Sequence, residues 1–147
     1  MAIYKCLASD SSINKAIEDI INPNKTTLIQ YYGCMEETYL DEIQVCDMLS
    51  SGRGKREYGH HILSLPPNSP VTDEELMRVM EDYVKSQKLF QNRNVIVSIH
   101  TSKPHLHCHI VFQAVSHQGK KYQMTKHEME NMKEAVFNLL KERNIYY

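Results

Sequence analysis

Four of the chain's eight histidines fall within ten residues, HTSKPHLHCH at 100–109. Side chains two positions apart on a strand share a face. Within HLHCHIVFQAV, residues 105–115, His107, His109, Val111 and Gln113 therefore point one way and Leu106, Cys108, Ile110 and Phe112 the other. The preceding NVIVSIH has the β-branched content of a buried strand. TSKP is short enough to return the chain antiparallel and set His100 beside the later pair, with His105 at the bend as a fourth candidate. Neutral imidazole is a common ligand of divalent metals, and three protein ligands leave a position open for water or substrate. The spacing predicts a metal cradle of His100, His107 and His109. The competing reading is of histidines that merely cap strand ends.

Several elements must hold that hairpin. MAIYKCL reads as a first strand, and SSINKAIEDIIN as a helix with Ile13, Ala16, Ile17 and Ile20 inward, Ser11 or Ser12 as N-cap and Asn-Pro as its stop. TTLIQYYG reads as a strand whose two tyrosines face opposite sides. ETYLDEIQVCDMLSSG reads as a helix with Leu40, Ile43 and Met48 on one stripe, ending at Gly52. HHILSL is a strand stopped by PPNSP. Thr72 with Glu75, and Thr125 with Glu128, have the spacing of capping boxes. They open helices with inward stripes of Leu76, Val79, Met80, Tyr83 and Val84, and of Met129, Met132, Val136, Leu139 and Leu140. Between hairpin and last helix, SHQGKKYQM predicts a turn at Gln118-Gly119 and a last short strand. The order of elements predicts an α+β fold, a largely antiparallel sheet with helices packed on it, formed by residues 1–147 as a single domain.

At 147 residues the chain can bury a core without a structural metal. The opening MAIYKCLASD lacks the basic start and apolar centre of a secretory signal, and no apolar stretch is long enough to span a bilayer. The four cysteines, Cys6, Cys34, Cys46 and Cys108, are scattered, as expected of reduced thiols in a cytoplasmic protein with no membrane partner. A net charge of −1 advertises no global affinity for nucleic acid. Positive charge is nonetheless concentrated in two loops, Arg53, Lys55 and Arg56 in SGRGKR and Lys120 and Lys121 in QGKKY. Such loops can grip phosphates locally.

With these elements placed, the chain resembles the relaxase, or mobilisation nuclease, domain of plasmids and integrative conjugative elements, within the HUH endonuclease group. AIEDIINPNKT is similar to the first sequence block of that family, HHILSLPP to the second, and IHTSKPHLHCHIVFQAV to the third, with GKKY following. The resemblance implies an HUH-relaxase-like sheet and nicking of single-stranded DNA at a transfer origin. In that chemistry a tyrosine oxygen attacks the scissile phosphate beside a metal on three histidines, leaving a 5′-phosphotyrosyl enzyme and a 3′-hydroxyl. It also implies a bacterial cytoplasmic setting and other mobilisation proteins as partners. The metal roles fall on His100, His107 and His109, with manganese or zinc favoured over magnesium by imidazole donors.

Three positions depart from the family pattern. Asp19 stands where the family places its tyrosine, Ser102 where an aspartate is common and Gln113 where an asparagine is common. Ser102, Gln113 and His105 retain hydrogen-bonding capacity beside the ligands. Asp19 is a larger change, because a carboxyl–phosphate adduct is a hydrolysis-prone mixed anhydride. Tyr31 and Tyr32 are then alternative nucleophiles, with His60 or His61 behind them. Two other functions compete with nicking. One is a silent module that keeps the relaxase fold and binds origin DNA or a partner. The other is a small metallohydrolase that uses water, with Asp19 or Glu18 as base.

Overall fold

The alternation read in residues 105–115 becomes the centre of a sheet. The structure, a computed structural model, describes residues 2–7, 9, 11–50, 56–67, 69–101 and 105–145. Its strands are β1 (Ile3–Leu7), β2 (Thr26–Tyr32), β3 (Tyr58–Ser64), β4 (Val95–His100) and β5 (His107–Gln113). They form one sheet in the order β1-β3-β5-β4-β2, every neighbouring pair antiparallel. Helices α1 (Ile13–Ile20), α2 (Tyr39–Leu49), α3 (Asp73–Ser86) and α4 (Lys126–Glu142) complete the α+β architecture.

β1 and β2 occupy opposite edges, so α1 must cross one face of the sheet, where it packs on β5 and β4. α3 and α4 pack together over the other face. There Leu76, Val79, Met80 and Tyr83 of α3 and Met132, Val136 and Leu140 of α4 meet Val97, Ile99, Cys108, Ile110 and Phe112. Each fully buried aliphatic or aromatic side chain contributes about 1.5–3 kcal/mol, which makes this the dominant core. The α1 face is thinner, with Ile13, Ala16, Ile17 and Ile20 joined by Ile43, Tyr58, Ile96 and Val111. This smaller apolar layer leaves room at one end for polar side chains.

Local signals place the helices well. Ser12 Oγ accepts the N–H of Lys15 at 3.2 Å, and both arms of the Thr125–Glu128 capping box are made. At Thr72 one arm differs from the expectation: its hydroxyl accepts the Glu75 N–H, while the Glu75 carboxylate turns to that hydroxyl.

Two expectations need correction. On α2 only Ile43 of the predicted stripe is buried, whereas Leu40 is 51% and Met48 78% exposed. The Gln113 amide holds the Ile43 carbonyl and Asp47 Oδ1, each at 2.8 Å, and this turns Ile43 and Cys46 inward instead. Gly52, the predicted helix end, lies outside the described residues. The last short strand shrinks to one bridge, Val115 with Lys121. Ser116 Oγ accepts the N–H groups of Gln118 and Lys120, tying the segment into a turn around Gly119, whose φ is +82°.

Gly59 of β3 lies opposite Phe112, and a Cβ built on it would fall on the Phe112 ring. Gly59→Ala is expected to cost about 1–3 kcal/mol by overpacking. The check is a lowered denaturant midpoint at an unchanged m-value; an unchanged midpoint would mean that the ring has room to move.

Candidate functional site

β3, β4 and β5 each present histidine to the α1 face. The register sets His100 opposite His107, and His109 between Ser98 of β4 and Ile62 of β3. His60, two residues before Ile62, shares its face, and its Nε2 lies 2.8 Å from His109 Nδ1. Ring centroids are 4.3 Å apart for His100 and His109 and 6.3 Å apart for His107 and His109. His105 lies with its ring 4.3 Å from that of His107. Asp19, Ile20, Lys25, His60, Ile62, His100, His107 and His109 line one cleft of about 270 Å³.

The C-terminal turn of α1 fixes one of these rings. His100 Nε2 lies 2.8 Å from the Ile20 carbonyl oxygen, which also accepts the Thr26 hydroxyl at 2.8 Å. A carbonyl only accepts, so Nε2 carries the hydrogen and Nδ1 keeps its lone pair. Burial first, and then the neighbouring charges of His100, His60, His107 and Lys25, push the His109 pKa down to about 2. Burial, followed by His100, pushes His60 down to about 4, against the pull of Asp19. Burial also lowers His100, with the Ile20 carbonyl opposing and Lys25 assisting. These rings are neutral at pH 7, the state in which imidazole ligates metals.

Among the described residues, no group of three or more His, Cys, Asp or Glu stands in an arrangement that would hold a metal ion. The rings pair with one another instead. Their chemistry still fits a divalent cation: neutral imidazoles share the cleft with the Asp19 carboxylate. The negative end of α1 is adjacent, and no basic side chain lies in its last turn.

The family model described as relaxase, MobA/VirD2-like, nuclease domain, matches residues 20–145. The chain belongs to the relaxase family. No curated protein matches the sequence. The match spans the strands that carry His60, His100, His107 and His109 and the helices that enclose them, α1 apart.

The other expected site residues of this relaxase domain fall in different places. Tyr31 and Tyr32 pair with Ile96 and Val95, whereas the His100 end of β4 meets Thr26. At about 3.3 Å per residue they lie roughly 16–20 Å along β2 from that end. Tyr31 packs on Tyr39, and Tyr32 turns to the α3 face, where burial pushes its pKa up to about 12. Neither reaches the histidines, because a strand crossing the full sheet separates its two ends. Gln113 is likewise not a support for the ligands. It lies four residues beyond His109 and serves as a buried hub for Ile43, Asp47 and Asn94. Ser102, Arg53 and Lys55 lie outside the described residues.

Adjacent His60 and His61 separate by face. His61 is 1% exposed in the α3 core, its Nδ1 2.7 Å from the Tyr4 hydroxyl, which accepts from Tyr83 at 2.8 Å. Arg56, Lys120 and Lys121 lie toward the Gln113 end of the sheet. Arg56 donates to the Tyr122 hydroxyl at 2.9 Å, and the Tyr122 ring has Arg56 and Arg93 guanidiniums each 5.7 Å from its centroid. Arg56, His60, His61 and Tyr122 share a second cleft of about 270 Å³. Sequence reasoning missed Lys25 and Tyr122. A lone lysine after a helix stop carries no spacing signal, and an aromatic residue in a basic loop becomes legible only when its cations fold around it.

The depressed histidines set a pH dependence for the metal-free domain. His60, His61 and His109 bind protons in the folded state only well below the unfolded value near 6.5. As pH falls from about 6.5 toward 4 the unfolded state takes up more protons, so stability must fall. Thermal midpoints are expected to drop across that window, with a shallower slope in His61→Gln. A flat profile in the wild type would contradict the burial assigned to these rings.

Proposed function

We propose that this relaxase domain nicks and transfers single-stranded DNA at the transfer origin of a mobile element, with a divalent cation held by His100, His107 and His109. The observation that carries the reading is the gathering of those three histidines with Asp19, Lys25 and His60 around one cleft. Bound there, manganese or zinc would supply a Lewis acid that draws charge from a phosphoryl oxygen. Lys25 offers a second positive group to the same phosphate. Tyr122, flanked by Arg56 and Arg93, offers a base a stacking face, and Lys120 and Lys121 extend the positive track. The setting is the bacterial cytoplasm with other mobilisation proteins as partners; among the described residues no helix is long and apolar enough to cross a membrane.

Attack on phosphorus needs a nucleophilic side chain or a base that draws a proton from water, and the cleft holds the Asp19 carboxylate. That observation favours a second reading, hydrolysis in which Asp19 takes a proton from attacking water. Incubation with manganese and a labelled single-stranded oligonucleotide pool, followed by a denaturing gel, separates the routes. A covalent adduct supports strand transfer, and peptide mapping names the nucleophile. Cleavage without an adduct supports water. Intact DNA that is nonetheless bound supports a silent binding module. Little or no adduct is expected through position 19 in the natural chain, and Asp19→Tyr is expected to restore some. Silence in both proteins while metal still binds would leave the binding module as the answer.

Two further outcomes follow. His107→Ala with His109→Ala is expected to abolish manganese or zinc binding in calorimetry, and unchanged affinity would refute the ligand assignment. DNA binding is expected to prefer single strands and to weaken with salt. Lys120→Ala with Lys121→Ala is expected to reduce the slope of log affinity against log salt by about 1.4, near 0.7 for each lost phosphate contact. An unchanged slope would remove these lysines from the interface.

A further inference from the structure

The cleft contains an imidazole beyond the three expected donors. His60 stands on β3 opposite Val111 of β5 and two residues before Ile62, which pairs with His109, and it meets His109 through a 2.8 Å contact between Nε2 and Nδ1. Only one of those nitrogens can carry the shared hydrogen. If His60 donates, His109 in its neutral form must carry its own hydrogen on Nε2 and has no lone pair for a cation. If His109 donates from Nδ1, its Nε2 lone pair is left for ligation, and His60 carries its remaining hydrogen on Nδ1. Ligating histidines commonly donate their second ring nitrogen to an acceptor that fixes tautomer and orientation. The same logic already applies at His100, whose Nε2–H is held by the Ile20 carbonyl.

We infer that His60 is the positioning residue of the histidine site, accepting the Nδ1–H of His109 through Nε2 and so presenting the His109 Nε2 lone pair to the cation. The inference rests on the cation reading proposed above. An imidazole suits this task at its position. His60 shares the cleft with Asp19, whose negative charge acts on the ring from the α1 side, and lies 5.1 Å from His109 between ring centroids. A carboxylate acceptor would add a second negative charge beside Asp19, whereas a neutral ring orients His109 without one. His60 also lines the cleft that holds Arg56 and Tyr122, so the same side chain borders both the cation site and the positive track.

Two substitutions and two spectroscopic measurements test the assignment. His60→Leu removes the acceptor, whereas His60→Gln keeps an amide oxygen able to accept the Nδ1–H. With manganese alone as the probe in calorimetry, His60→Leu is expected to weaken binding about 10–100-fold, and His60→Gln to recover most of it. With cobalt, the visible absorption of His60→Leu is expected to differ from that of the wild type, and that of His60→Gln to match it. Equal affinity and identical cobalt spectra in wild type and His60→Leu, or equal loss in both variants, would overturn the role. Nitrogen NMR on labelled wild-type protein tests the same point without a variant: His109 is expected as the Nδ1–H tautomer, and an Nε2–H tautomer overturns the inference. A wild type that binds no cation would sink the cation reading, while the His109 tautomer in that same protein would still decide the part played by His60.

Discussion

The two-sidedness of β5 is the constraint on which the site hangs. Cys108, Ile110 and Phe112 are locked into the α3–α4 core, all with no exposed surface. Because strand side chains alternate, that lock commits His107 and His109 to the opposite face. A slip of one residue would place imidazoles in the dominant core and aliphatic groups in the cleft, so register is specified by apolar burial and inherited by the polar face. Gly59 contributes by leaving space for the Phe112 ring, which keeps β3 and β5 close where His60 and His109 meet.

Partial desolvation is the second organising term. Burial keeps His60, His100 and His109 neutral while they border an open cleft, a combination made possible by the thin α1 layer. α1 then serves two purposes. Its apolar stripe seals the face, and its last turn supplies the Ile20 carbonyl and the Asp19 carboxylate at the histidines. Lys25, on the turn that leaves this helix, opposes that negative potential and makes the cleft amphoteric, suited to holding cation and anion side by side.

Periodicity made most of the scaffold legible. The inward residues of α1, α3 and α4 and the pairing of His100 with His107 follow from spacing alone, because the interactions that enforce them are local or set by strand alternation. Illegible features depended on partners distant in sequence. α2 is apolar on more than one side, and its rotation is decided by hydrogen bonds from Gln113, 70 residues away from Ile43. For the same reason Gln113, which the family resemblance set beside the ligands, is an anchor for α2 in space. Tyr31 and Tyr32 were close to the first helix in sequence, yet β2 carries them to the far end of the sheet. His60 and His61 are chemically identical in the sequence, and only the sheet's two faces separate a cleft residue from a core one.

The strand order has a kinetic consequence. β1 pairs with residues about sixty positions later, and β2 with residues about seventy positions later, for instance Ile3 with Ser64 and Thr26 with His100. β5, the strand that bridges β3 to β4, comes after nearly three quarters of the chain. Loop-closure entropy must therefore be overcome before most strand pairings are rewarded, which places the domain among slower-folding topologies. During synthesis from the N-terminus, β1, α1 and β2 emerge long before the central strand that joins the two halves of their sheet. The cleft is consequently a late product of folding: a nascent chain offers neither cation nor nucleic acid an organised site until β5 has been made.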